Sequence, residues 1–81
     1  MDIKYKKSAL KFLRTMDKNI AIKIASSIDG LKKIPPEGDI KALQGKENLY
    51  RLRVGKYRII YTYIDNSLII IDIGSRGDIY K

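Results

Sequence analysis

The chain has 81 residues and a formal net charge of +8, from 17 Lys and Arg against 9 Asp and Glu, and it contains neither cysteine nor histidine. This composition excludes disulfides, thiolate metal sites and thiol nucleophiles, and it removes the commonest general acid–base and metal ligand. The length predicts one domain over residues 1–81, with a core that buries only about 60% of the surface of the unfolded chain, and the 44% hydrophobic content suits a folded domain.

Residues 2–6, DIKYK, predict a short first strand. Ser8 is a candidate N-cap for a helix through about Met16, with Ala9, Leu10, Phe12, Leu13 and Met16 as its buried stripe. Asp17 is a candidate cap for a second helix from Lys18 to about Lys33. There Ile20, Ala21, Ile24, Ala25, Ile28 and Leu31 recur at three- and four-residue spacing. The stretch IPPEGD ends that helix in a loop, and IKALQG fits either a short strand or a turn. After the loop the period changes to two, and NLYRLRV, YRIIYTYI and LIIIDI read as strands rich in Tyr, Ile and Val. The order predicts an α+β fold: a short N-terminal strand, a two-helix hairpin, then a mainly antiparallel twisted sheet of about four strands. No apolar run reaches the length of a membrane span and no signal-peptide pattern is present, so a cytoplasmic protein is expected.

The charge favours a polyanionic partner, and a solubilising surface is the plainer alternative. The kind of base changes along the chain. Ten lysines and one arginine, Arg14, precede residue 50, whereas four arginines and two lysines follow. Guanidinium supplies a planar set of donors suited to bidentate phosphate binding. In YRLRVGKYR, Gly55 and Lys56 form a two-residue turn compatible with type II′. That register pairs Val54 with Tyr57, Arg53 with Arg58, Leu52 with Ile59 and Arg51 with Ile60. Tyr50, Leu52, Val54, Tyr57, Ile59, Tyr61 and Tyr63 then share the face to be buried, and Arg51, Arg53 and Arg58 share the other, with Ile60 and Thr62 beyond. Burial of Ile69, Ile71 and Ile73 calls for a three-residue loop at DNS, which also puts Asp72 on the arginine face near Arg58.

These residues resemble a known family. NLYRLRVGKYRIIYTYID followed by IDIGSRGDIYK is similar to the sheet and C-terminal signature of the RelE/ParE superfamily of type II toxins, and the helical pair extends the resemblance over nearly the whole chain. The RelE-like branch cleaves mRNA in the ribosomal A site by attack of the 2′-hydroxyl on the adjacent phosphate. The resemblance places its active surface on Arg51, Arg53, Arg58, Arg76 and Tyr80, with Lys46, Lys56 and Lys81 as RNA contacts and with neither metal nor cofactor. It assigns Arg51 and Arg58 to phosphate and transition-state binding, Arg76 to the leaving oxygen, and Tyr80 to base stacking or a hydrogen bond near the attacking hydroxyl. Arg53 stands where several relatives have a lysine, and an arginine cannot act as a base. Proton removal therefore falls to Tyr80, Asp72, Glu47 or ribosomal RNA, or Arg53 is purely electrostatic.

The implied partners are a cognate acidic, RelB-like antitoxin, mRNA and the ribosome at the 16S rRNA A site, with no membrane. The toxin–antitoxin complex is expected as a heterotetramer that binds operator DNA. The exposed side of the helix pair and the sheet edge beside IKALQG are both open to the antitoxin. Two alternatives share the fold: a ParE-like DNA gyrase inhibitor, and a catalytically weak RNA- or antitoxin-binding module.

Overall fold

The computed structural model describes residues 1–75. The chain runs through β1 (Asp2–Tyr5), α1 (Lys7–Arg14), α2 (Lys18–Asp29) with a 3-10 turn at Gly30–Lys32, then β2 (Asp39–Ala42), β3 (Tyr50–Val54), β4 (Tyr57–Ile64) and β5 (Ser67–Ser75). The strands form one sheet in the order β1-β5-β4-β3-β2. β1 is parallel to β5, and the other neighbouring pairs are antiparallel. This is the predicted α+β arrangement, four strands after the helices and one before them. No helix among the described residues is long and apolar enough to cross a membrane.

Both helices lie over one face of the sheet. Ala9 of α1 and Ile24 and Ile28 of α2 are fully buried, and with Leu31 they pack into one cluster with Leu52, Ile59, Tyr61, Leu68, Ile70 and Ile73. The caps differ from expectation. Lys6, not Ser8, occupies the cap position of α1, because the backbone N–H of Lys6 is still bound to the Ile70 carbonyl at 2.9 Å and the helix starts directly from β1. The Ser8 hydroxyl donates to the Ile71 carbonyl at 3.3 Å and ties α1 to β5. Asp17 does precede α2, without a side-chain capping bond. α2 stops at Asp29, and the Gly30 carbonyl accepts from the N–H groups of Lys33 and Glu37 at 3.3 and 3.0 Å, which folds the chain back toward the sheet.

The β3–β4 hairpin has the predicted register from Val54↔Tyr57 to Arg51↔Ile60. Gly55 has φ +60°, whereas Lys56 does not enter the positive region, which matches a type II′ turn. The β4–β5 hairpin departs from prediction. Ile64 pairs with Ser67, so the turn has two residues, Asp65 and Asn66. Carried through unbroken, that register would place Asp72 on the core face. A bulge prevents it: Tyr61 pairs with Ile70 but Ile60 pairs with Asp72, leaving Ile71 as the extra residue. The core face of β5 is therefore Leu68, Ile70 and Ile73, in place of the predicted Ile69, Ile71 and Ile73. The bulge keeps apolar side chains inward at both ends of β5 and turns Asp72 outward.

Candidate functional site

The face of the sheet away from the helices is organised in cross-strand rows. One row reads Asp39, Arg53, Arg58 and Gly74 across β2, β3, β4 and β5, and the next reads Lys41, Arg51, Ile60 and Asp72. Four cations and two carboxylates share these rows, so the face is positive. Arg53 and Arg58 are direct neighbours, an arrangement that costs on the order of 0.2–1 kcal/mol when uncompensated. Gly74 brings no side chain beside Arg58. Ile60 is 1% exposed in the middle of this polar surface, between Arg51 and Asp72 in register.

The carboxylate that serves the arginines is Asp39. Its Oδ1 accepts from Arg51 Nη2 at 3.1 Å, and its Oδ2 forms an ion pair with Arg53, 3.0 Å from Nε. The Arg51 Nη2 also reaches the Asp39 backbone carbonyl at 3.5 Å. Asp72, expected close to Arg58, is on the arginine face as predicted, but its Oδ1 accepts from the backbone N–H of Ile73 at 3.0 Å. The bulge supplies the reason, since it aims this carboxylate along its own strand. The Nε donors of Arg51 and Arg58 are buried and pair with nothing among the described residues. Buried donors in native structures nearly always find an acceptor, so these two are exceptions on the basic face.

Local sequence explains why Asp39 stands where it does. Gly38 has φ +132°, and a Cβ there would lie 2.6 Å from Leu52 Cδ1. Only glycine lets the chain pass so close to the core and turn into β2. In Asp39–Ala42, Ile40 packs against the core cluster, so Asp39 and Lys41 must face the arginines. An open cleft of about 530 Å³ lies between the end of α2, Gly38 and the end of β3, and Arg53 alone of the three sheet arginines lines it.

The structure brings Arg51, Arg53 and Arg58 together and leaves two predicted RNA contacts apart from them. Lys46 is exposed in the segment 43–49, at the far end of β3 from the hairpin turn. Lys56 is in that turn, with its Nζ 5.6 Å from the Tyr57 ring centroid, on the core side of the hairpin. Arg76, Tyr80 and Lys81 lie outside the described residues. Glu47 is exposed in the same segment as Lys46. Sequence reasoning missed Asp39 because it was read as the end of the IPPEGD loop, and Lys41 because IKALQG was open between strand and turn. The alternation of Asp39, Ile40 and Lys41 against a core facing Ile40 is the signal that finds them.

A helical pair behind a mixed sheet, with guanidiniums on the uncovered face, defines a small α+β protein built around a basic sheet surface. The model of the ParE toxin of type II toxin–antitoxin systems, parDE, matches residues 3–80. A Methanocaldococcus jannaschii protein bearing the toxin name RelE1 is 35% identical over 85 aligned residues, which cover 99% of this chain and 94% of that one. The chain therefore belongs to the ParE toxin family, within the RelE/ParE superfamily of type II toxins. The toxin in the RelB–RelE antitoxin–toxin complex from Methanococcus jannaschii superposes with a TM-score of 0.77 at 28% identity, over 95% of this chain and 94% of that one. The archaeal RelE–RelB complex from Pyrococcus horikoshii gives 0.75 at 30% identity, over 94% of each chain. The isolated E. coli RelE toxin gives 0.79 at 19% identity, over 93% and 83%, a likeness of fold.

Proposed function

We propose that this toxin acts as a single domain and is a ribosome-dependent endoribonuclease that cleaves mRNA in the A site and so arrests translation. The observation that carries the reading is the arginine row: Arg53 opposite Arg58, with Arg51 one row along and buried Nε donors left unpaired among the described residues. In the reaction the 2′-oxygen of the RNA loses its proton and bonds to the adjacent phosphorus. The bond to the 5′-oxygen breaks, and that oxygen gains a proton, giving a 2′,3′-cyclic phosphate and a 5′-hydroxyl. Arg51 and Arg58 bind the phosphate and stabilise charge on its equatorial oxygens, for which one preorganised donor is worth roughly 3 kcal/mol. Arg53 contributes charge and cannot take the proton. Arg76 serves the leaving oxygen and Tyr80 holds a base or the attacking hydroxyl, both roles resting on the resemblance. Without histidine, and with arginine in place of lysine at position 53, the protein needs the ribosome to complete acid–base chemistry and position the strand.

Structures of similar toxins contain RelB, and an acidic antitoxin that covers the basic face in the cytoplasm fits the surplus of positive charge here. The match to a ParE model favours a second reading, inhibition of DNA gyrase through protein binding. Inducible expression with primer-extension mapping on translated mRNAs tests the first reading, beside a gyrase supercoiling assay. Cleavage at codon-spaced sites, lost in Arg76→Ala while the fold persists, is the expected result. Growth arrest without cleavage, with supercoiling inhibited, replaces it with the second.

A further inference from the structure

We infer that Asp39 is a positioning residue of the arginine face: a built-in carboxylate that holds Arg51 and Arg53 in place and competes with RNA phosphate for them. The inference rests on the proposed ribonuclease reading and adds to it a residue that the site lacked. Its geometry is specific. One carboxylate engages two guanidiniums, one oxygen on each, at 3.1 and 3.0 Å. The two bonds hold unlike arginines. The Arg51 side chain is 16% exposed and gives Nη2 to both the carboxylate and the carbonyl of Asp39. The Arg53 side chain is 52% exposed and meets the carboxylate in an ion pair at Nε. Asp39 thus fixes the orientation of a solvent-facing fork by its stem. A fork fixed in advance loses less freedom when it grips a phosphate.

The carboxylate has no comparable role in holding the fold. Asp39 is 48% exposed at an edge strand, and its pair with the exposed Arg53 contributes little to stability. The placement is nonetheless enforced by the backbone, since Gly38 presses against Leu52 and the register sets Asp39 opposite Arg53. A carboxylate and a phosphate oxygen present the same charge and acceptor geometry to a guanidinium. Asp39 therefore lowers ground-state attraction for RNA while it orders the groups that act on it, and removing its charge moves binding and cleavage in opposite directions.

The test uses the full chain, as wild type, Asp39→Asn and Asp39→Glu. Binding of a single-stranded RNA oligonucleotide is followed by fluorescence anisotropy across a salt series, and cleavage of a translated mRNA is timed at saturating toxin. Asp39→Asn is expected to steepen the slope of log K against log salt by about 0.7, one extra counterion released, and to bind about fivefold tighter a decade of salt below the point where the two lines meet. Its saturated cleavage rate falls about tenfold or more, as expected of misoriented groups. Asp39→Glu restores the wild-type slope and part of the rate. An unchanged slope and rate in Asp39→Asn, or a parallel loss of binding and cleavage, overturns the inference. If the wild type cleaves no mRNA, the ribonuclease reading fails, and the binding series decides the Asp39 pairing by itself. The wild type also offers a measurement that needs no variant. Its Arg53 Nε resonance should be resolved from those of the exposed arginines and displaced on RNA titration; a signal averaged with them counts against the pairing.

Discussion

The two faces of this sheet are made by the same strands under opposite rules. On the helix side, Leu52, Ile59 and Tyr61 are 1% exposed or less, and each adds apolar area to one cluster. On the far side the same strands carry Arg51, Arg53 and Arg58, which repel one another, and one carboxylate, Asp39, serves the first two. The first face accounts for why the chain folds. The second is costly to assemble and is kept in place by the first. An alternating strand therefore lets a small core hold an unfavourable charge cluster in fixed geometry, which a loop of the same residues would not do.

The strongest way to break this comparison is to truncate one residue on each face of β4. Ile59→Ala should lose about 2–5 kcal/mol of stability, a large part of the total for a chain of this size, as read by chemical denaturation. Arg58→Ala should leave stability within about 1 kcal/mol and lower cleavage by about a hundredfold to a thousandfold. If the two effects are exchanged, the division between folding face and working face is wrong. A smaller effect is expected where the faces communicate. Gly38→Ala forces a Cβ against Leu52 in a backbone region hostile to side chains, and should cost about 1–3 kcal/mol. It should also weaken the Asp39 pairing, so that RNA binding shifts in the same direction as in Asp39→Asn.

The smallest effect concerns the helix side alone. Tyr61 and Tyr63 hold their protons above the ordinary tyrosine value of 10.0, chiefly through burial and then through charge on neighbouring tyrosines, Tyr63 and Tyr50 for Tyr61 and Tyr50 for Tyr63. The Tyr63 hydroxyl also donates to the Leu31 carbonyl at 2.8 Å. The unfolded chain ionises near 10.0 while the folded chain resists. Their contribution is thus fully present below that pH and is lost as pH rises beyond it. Denaturation midpoints measured from neutral to strongly alkaline pH should fall above pH 10, and Tyr61→Phe should make the fall shallower. An equal fall in both proteins would place the titrating groups elsewhere.

Much of this was legible in the residues. The change of period after the IPPEGD loop separated helices from sheet, and the turn at Gly55 and Lys56 determined which arginines face each other. Reading β5 as unbroken was the error. Alternation in SLIIIDIGS cannot keep Leu68, Ile70 and Ile73 all inward without an extra residue, and no local signal marks Ile71 as that residue. Ser8 looked like a cap because its type suits one, but β1 delivers the chain to α1 with Lys6 already bonded to β5. Asp39 was hidden because its partner is more than ten residues away, and pairing of a short edge strand depends on a register that composition does not carry.

Sequence by itself determined the α+β order, the apolar face of the β3–β4 hairpin and the three arginines on its other side, because those depend on periods and turns within a few residues. Tertiary structure decided the bulge at Ile71 and the choice of Asp39 over Asp72 as the arginines' counter-charge. Both follow from packing between distant segments: a core that accepts only apolar side chains, and a glycine that brings one edge strand close enough for its carboxylate to reach two guanidiniums.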